Sequence, residues 1–312
     1  MRPSTELNDG AAALLDAWAA HIDSLLDAQW DLMNGGHHWT PTSDSPLDVL
    51  RTRLKKKLGP AGTWDGNESE SAGRLATLML AVSGQHLEGI RALLLSRQVI
   101  FPIAPLARSI MEAAGRTIWL IDPQVTQPRD LAARLWMMKL DNTTRQIKTT
   151  KGWDQADQKL LETLVKEKKR IRDVEIPARF YPSEIKNNDG VIAIRDEHMP
   201  GLSRSIRHIA TAMKIEDWHT PMYSFLSDAT HPTPYAVLAT VQRVTTDVDD
   251  LRKFGSHNLH REYMILQAAV YAFQQSWFLT TSFFGLDAGP VIEVCNRAKY
   301  LPKPTGDAAA KD

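Results

Sequence analysis

Run after run of apolar residues recurs at helical spacing in this chain, and almost nowhere do apolar and polar residues alternate as in a half-buried strand. That regularity leaves little room for anything but helices. Helical runs are expected over 71–98, 104–121, 128–149, 153–174, 201–214, 220–229, 234–253 and 258–284. Pro102, Pro123, Pro128, Pro177, Pro200 and Pro234 fall at or near the breaks, where a ring without an N–H cannot continue the hydrogen-bond ladder. VIAIR at 191–195 is the one strand-like stretch. Farther upstream, Leu14, Leu15, Trp18, Ile22, Leu25 and Leu26 mark an amphipathic helix over 11–33, entered at Asp9 and ended by Gly35-Gly36. A short helix is expected around 47–58. The stretch GPAGTWDGNESESAG after it reads as a loop.

The expected fold is therefore all-α: a multi-helix bundle forming one large domain, with an N-terminal helical extension. Residues 1–70 hold that extension and a Gly/Pro/Ser-rich loop, 71–300 form the bundle core, and 301–312 make a polar tail expected to be disordered. A chain of 312 residues that is 43% hydrophobic can bury such a core and is not globally disordered. Its 37 bases balance 37 acids, which argues against nucleic acid as a partner held by bulk charge. The single cysteine, Cys295, excludes an intrachain disulfide framework and a multi-cysteine zinc site. The opening MRPSTELNDG lacks a basic stretch followed by an apolar one, so no signal peptide is expected. Residues 263–285 carry no charge and are long enough to span a bilayer, but Gln267, Gln274 and Gln275 inside them favour a helix buried in a soluble core. The expected location is the cytoplasm, with no membrane partner. A homodimer is left open.

The run APLARSIMEAAGRTIWLI at 104–121 has apolar side chains around nearly its whole circumference, the pattern of a helix buried within a large domain. Yet Arg108, Glu112 and Arg116 stand at i, i+4 and i+8, one above another on one face. Charges on a buried helix must pair or face a water-filled cavity. The row therefore either lines a polar pocket or forms a closed ionic ladder. Tyr263, Gln267, Tyr271, Gln274 and Gln275 make a second polar stripe on an apolar helix, and it is expected to meet the row if the two helices pack. His86 sits among Leu75, Leu78, Met79, Val82 and Ile90 on what reads as the apolar face of its helix, and beside a carboxylate it would serve as a general base.

The segment EDWHTPMYSFLSDATHPTP at 216–234 contains Glu216-x-x-His219 and Asp228-x-x-His231, the spacing a di-iron bundle uses. With 10 histidines and 37 acids, about one such pair arises by chance, and the two lie on either side of Pro221 rather than on separate long helices. No metal and no cofactor is expected. Asp247-Val-Asp-Asp250 resembles the aspartate motif of class II terpene cyclases, which implies Asp249 as a proton donor. Arg252-x4-His257 resembles the R-x4–6-H pair of HEPN ribonucleases, small α-bundles that often dimerise; that resemblance implies action on an RNA phosphate by Arg252 and His257, although Lys253 departs from the family's usual second residue. There is no GxGxxG, phosphate-binding loop, HExxH or GxSxG.

Arg108-Ser-Ile-Met-Glu112, the helix end Trp119-Leu-Ile-Asp122-Pro123 and Tyr223-Ser-Phe-Leu-Ser227-Asp-Ala-Thr-His231-Pro232 together resemble motifs of a loose class of all-helical bacterial proteins. The resemblance spans 75–285. It implies an all-α fold and one constellation containing Arg108, Glu112, Ser227 and His231; it implies no activity. The resulting expectation is a pocket that binds, or acts on, a small polar or anionic molecule. Arg108, Arg116, Tyr223, Ser227, Tyr263, Gln267 and Tyr271 would contact the ligand, and His86, Glu112 or His231 would supply a base. A HEPN-like ribonuclease using Arg252 and His257, and a di-iron oxidase, are the alternatives.

Overall fold

The computed structural model describes residues 9–34, 39–56, 58–96, 103–121, 127–152, 157–188, 191–212, 214, 217, 219–230, 259–298 and 301. Among them the chain is all-α. Its long helices are α1 (Asp9–Asn34), α3 (Asn67–Ser96), α4 (Ile103–Ile121), α5 (Pro128–Lys151) and α10 (Leu259–Phe284). Shorter ones are α2 (Pro46–Leu54), α6 (Gln158–Arg170), α7 (Ile176–Arg179), α8 (Leu202–Ala212), α9 (His219–Thr230) and α11 (Gly289–Arg297). Two small antiparallel hairpins complete it: β1 (Leu58–Gly59) with β2 (Gly62–Thr63), and β3 (Ile185–Asn188) with β4 (Val191–Ile194). In the second, Ile185 lies opposite Ile194 and Asn188 opposite Val191. The expected helix over 234–253 and all but one residue of the 301–312 tail lie outside the described residues. No described helix is long and apolar enough to cross a membrane.

Helix α4 is the hub, packing against α3, α10, α8 and α9. Twelve of its 19 residues are buried, as apolar residues around the whole circumference demand. The core has two apolar clusters. One gathers Trp18, Leu87, Ile110, Phe273 and Trp277 from α1, α3, α4 and α10. The other gathers Leu54, Trp64, Leu131, Phe180 and Phe284 around α2, α5 and the hairpins. Helices α3, α4 and α10 run through both, so α4 contributes Ile118 to the first cluster and Trp119 to the second. Each fully buried Leu, Ile or Phe is worth about 1.5–3 kcal/mol.

Charged clasps lock the second cluster. Arg134 on α5 donates to the Trp119 carbonyl at 2.7 Å, satisfying a C-terminal carbonyl of α4, and binds Glu197 through Nε at 2.8 Å. The Trp119 indole donates to the same Glu197 at 3.1 Å. Arg195 joins Asp130 at 2.6 Å and Glu184 at 2.7 Å, tying the β3–β4 hairpin to α5.

Three local differences from the sequence reading have physical causes. The NESES run, polar enough to read as loop, is the first turn of α3: Asp65 accepts from the Asn67 N–H at 2.9 Å, and Glu68, 3% exposed, pairs with Arg179 at 2.6 Å. The expected charged helix over 153–174 is α6, which slackens into a π-helical turn at Ile171–Glu175 just before Pro177, whose ring removes an N–H and crowds the carbonyl four residues back. VIAIR does contain a strand, β4, but its partner β3 (IKNN) carries no apolar alternation that would mark it.

Candidate functional site

The row on α4 forms as a ladder. Arg108 Nε lies 3.1 Å from Glu112 Oε1, and Arg116 Nη2 lies 3.7 Å from Glu112 Oε2. The three side chains are 28%, 28% and 20% exposed, so the ladder occupies a half-buried seam while twelve other residues of α4 are buried. The 3.7 Å contact at its lower end is loose. Arg116 Nε is buried with no hydrogen-bond partner, although a buried guanidinium N–H left unpaired is costly.

Arg116 forms part of the wall of a pocket of about 430 Å³. Helix α3 supplies Arg74, Leu75, Leu78 and Met79, helix α5 supplies Leu135, Met138, Lys139 and Arg145, and Met199 closes one side. Four cations thus meet a single carboxylate, Asp141, which Arg145 already engages at 2.7 Å. Among the described residues Arg74 and Lys139 have no carboxylate within ion-pair distance. The Lys139 ammonium stacks on the Trp136 ring, 4.2 Å from its centroid, and desolvation holds its pKa below the ordinary lysine value.

The α10 stripe does not line this pocket. Tyr263 is buried edge-on against Trp18 of α1, with ring centroids 5.7 Å apart, and burial pushes its phenol pKa up. Gln267 donates to the Tyr271 hydroxyl at 3.0 Å, and Gln274 meets His21 Nε2 at 3.2 Å. The stripe's bonds thus run to α1 and within α10 itself. His86 is half-buried and has no hydrogen-bond partner among the described residues; it does not line the pocket. The apolar face assigned to its helix needs correction. Leu78 and Val82 are 62% and 46% exposed; Ile90 is buried as expected, but it shares the buried face with Ala72, Ala76, Leu80, Leu87 and Leu94.

Tyr223 is exposed and Ser227 half-buried on α9. His231, Arg252, His257 and the Asp247–Asp250 motif lie outside the described residues, as does Glu216. Among the described residues no three His, Cys, Asp or Glu side chains cluster as metal ligands would. The sequence reading missed one polar pair. His219 Nε2 lies 3.0 Å from both the Ser203 hydroxyl and the Ser203 carbonyl. An Nε2–H donating to that carbonyl has no lone pair left to take the hydroxyl proton, so the pair ties α9 to α8 and activates no nucleophile. Sixteen residues of separation gave no local signal for it.

No family model matches this chain, and neither a curated protein nor a solved structure shows significant similarity to it.

Proposed function

We propose that the protein binds a small anionic molecule in the pocket walled by Arg116. The observation that carries this reading is the charge imbalance: Arg74, Arg116, Lys139 and Arg145 surround a space whose one carboxylate is already engaged, and one buried N–H of Arg116 is unsatisfied. A bound anion would accept from that N–H and neutralise the two partly desolvated cations, Arg116 and Lys139, with the exposed Arg74 and Arg145 at the rim. The volume, about 430 Å³, falls within the range of small-molecule sites, about 300–1,000 Å³. The carboxylate in the wall, Asp141, is engaged by Arg145 at 2.7 Å, so the reading offered is one of binding.

Thermal unfolding against a panel of carboxylates, phosphate esters and sulfonates tests it. A ligand at 100 times its Kd stabilises by about 2.7 kcal/mol, a rise of several degrees in Tm. That rise should vanish in Arg116→Gln and shrink in Lys139→Gln. A panel that leaves Tm unchanged throughout, or a rise that survives both substitutions, overturns the reading.

A further inference from the structure

We infer that the anion this pocket takes is an amphiphile: one acidic head joined to an unbranched apolar chain. The inference rests on the reading above and narrows it to a ligand class. The cations fix the sign of the head. The wall fixes the rest. Leu75, Leu78, Met79, Leu135, Met138 and Met199 make up almost half of the lining, and uncharged hydrogen-bonding groups number only two, Ser71 and Asn142. A sugar phosphate or nucleotide would bring many hydroxyl or amide groups to a surface with few partners for them, at a cost for each one desolvated. Free inorganic phosphate would leave the apolar wall wet. A neutral lipid would leave the cations uncompensated.

Two further features fit a chain. Three of the six apolar residues are methionines, whose unbranched thioethers adapt to an irregular or flexible partner. The apolar surface also continues past the rim. Leu75, Leu78 and Val82 follow one another along α3, with Leu78 62% and Val82 46% exposed, giving a strip about 10 Å long at 1.5 Å per residue. Such a strip would carry the tail outward while the head stays at Arg116. The same chemistry is offered by a dispersed fatty acid and by an acidic lipid lifted from a bilayer.

Isothermal titration of the full chain with inorganic phosphate, butyrate, octanoate and dodecanoate, all below micelle formation, tests the inference, with dodecyltrimethylammonium as the charge-reversed control. Affinity should rise about fourfold per added CH₂ until the strip is covered. Leu78→Ser, on an exposed position where folding is not at risk, should flatten that rise without abolishing binding of the shortest acid bound. Arg116→Gln and Lys139→Gln should weaken every acid. Flotation with phosphatidylcholine vesicles, with and without phosphatidic acid, separates the sources: Arg116-dependent co-flotation assigns the bilayer, and binding of dispersed acid alone assigns the free amphiphile. Arg116-dependent binding that ignores chain length overturns the amphiphile and leaves the anion reading standing. Equal binding of the ammonium control overturns it as well. No binding by any acid or phosphate ester overturns both.

Discussion

The crossing of α4 and α8 depends on Gly115, and one methyl group there should separate the helices. A Cβ built on Gly115 would sit 2.4 Å from Ser205 Cβ, 2.5 Å from Ser205 O and 2.6 Å from Ser205 Cα. Ordinary carbon contacts are about 3.5–4.0 Å, so the helices must part by roughly 1 Å. Two of the three clashing atoms are backbone, so no rotamer change relieves them. Overpacking of this kind costs about 1–3 kcal/mol, and the rigid contact puts Gly115→Ala at the upper end. Alanine's better helix propensity offsets about 1 kcal/mol, leaving a net loss of about 2 kcal/mol. Gly152→Ala is the matched control. Gly152 caps α5 at φ −79°, a conformation alanine adopts freely, and its nearest neighbours are 3.4 and 3.7 Å away. There, reduced freedom in the unfolded chain should add about 0.4–1 kcal/mol. Urea unfolding followed by the fluorescence of the nine tryptophans should place the two variants on opposite sides of the native protein. Gly115→Ala as stable as the native chain, or indistinguishable from Gly152→Ala, would refute the close α4–α8 crossing.

Other perturbations separate the ladder from the core. Glu112→Gln removes the carboxylate that competes for Arg116, so anion affinity should rise several-fold, opposite to Arg116→Gln; a loss in both, read by titration calorimetry, contradicts the competition. The stability change should stay within about 0.5 kcal/mol, since exposed or half-exposed i,i+4 pairs contribute little. The His21 imidazole, held mainly by burial and then by the Arg297 charge, has its pKa lowered to about 4 from 6.5. The unfolded chain then binds the extra proton, so stability should fall as pH drops from about 6.5 toward 4, by up to about 3 kcal/mol. In His21→Gln the slope between pH 6.5 and 5 should flatten, and an unchanged slope would exclude His21 as its source. Burial pushes the Cys295 thiol up to about 12, so iodoacetamide at pH 8 should modify the native chain far more slowly than the chain in urea. Equal rates would show the thiol to be accessible.

Much of this architecture is written in periodicity, because a helix that must bury several faces needs apolar residues at several spacings. Helix α4 is the clear case: its span and its buried character follow from its own residues. What periodicity cannot give is which face of an all-round apolar helix turns inward. On α3, a count of large apolar residues points to Leu75, Leu78, Met79 and Val82, yet the core side carries Gly73, Ala76, Ser83 and Gly84. The reason is close approach. A Cβ on Gly73 would meet Leu47 at 2.8 Å and Phe284 at 2.9 Å, and one on Gly84 would meet Gln29 at 2.6 Å. Neighbouring elements need small residues to pack that tightly, so the larger side chains are displaced to the seam beside Arg116. The Arg108–Glu112–Arg116 row was legible from i,i+4 spacing alone. Its companions on α5 were not, because Lys139 and Arg145 reach it only through tertiary packing.

The zero net charge of the chain hides how unevenly its charges are matched. Around the second cluster each buried or half-buried arginine has an acid: Arg129 has Glu184, Arg134 has Glu197, Arg179 has Glu68 and Glu175, and Arg195 has Asp130 and Glu184. One turn away, the chemistry stops matching. Trp136 carries Arg179 near one part of its ring, 4.5 Å from the centroid, and Lys139 at 4.2 Å. The arginine is doubly paired and the lysine is not. A sequence shaped only for stability would place a carboxylate opposite Lys139, as it does for four arginines nearby, since an unpaired, partly desolvated cation lowers stability. A half-buried lysine without a carboxylate, beside a buried arginine N–H without an acceptor and in one apolar-walled space, is what a site for an anion requires.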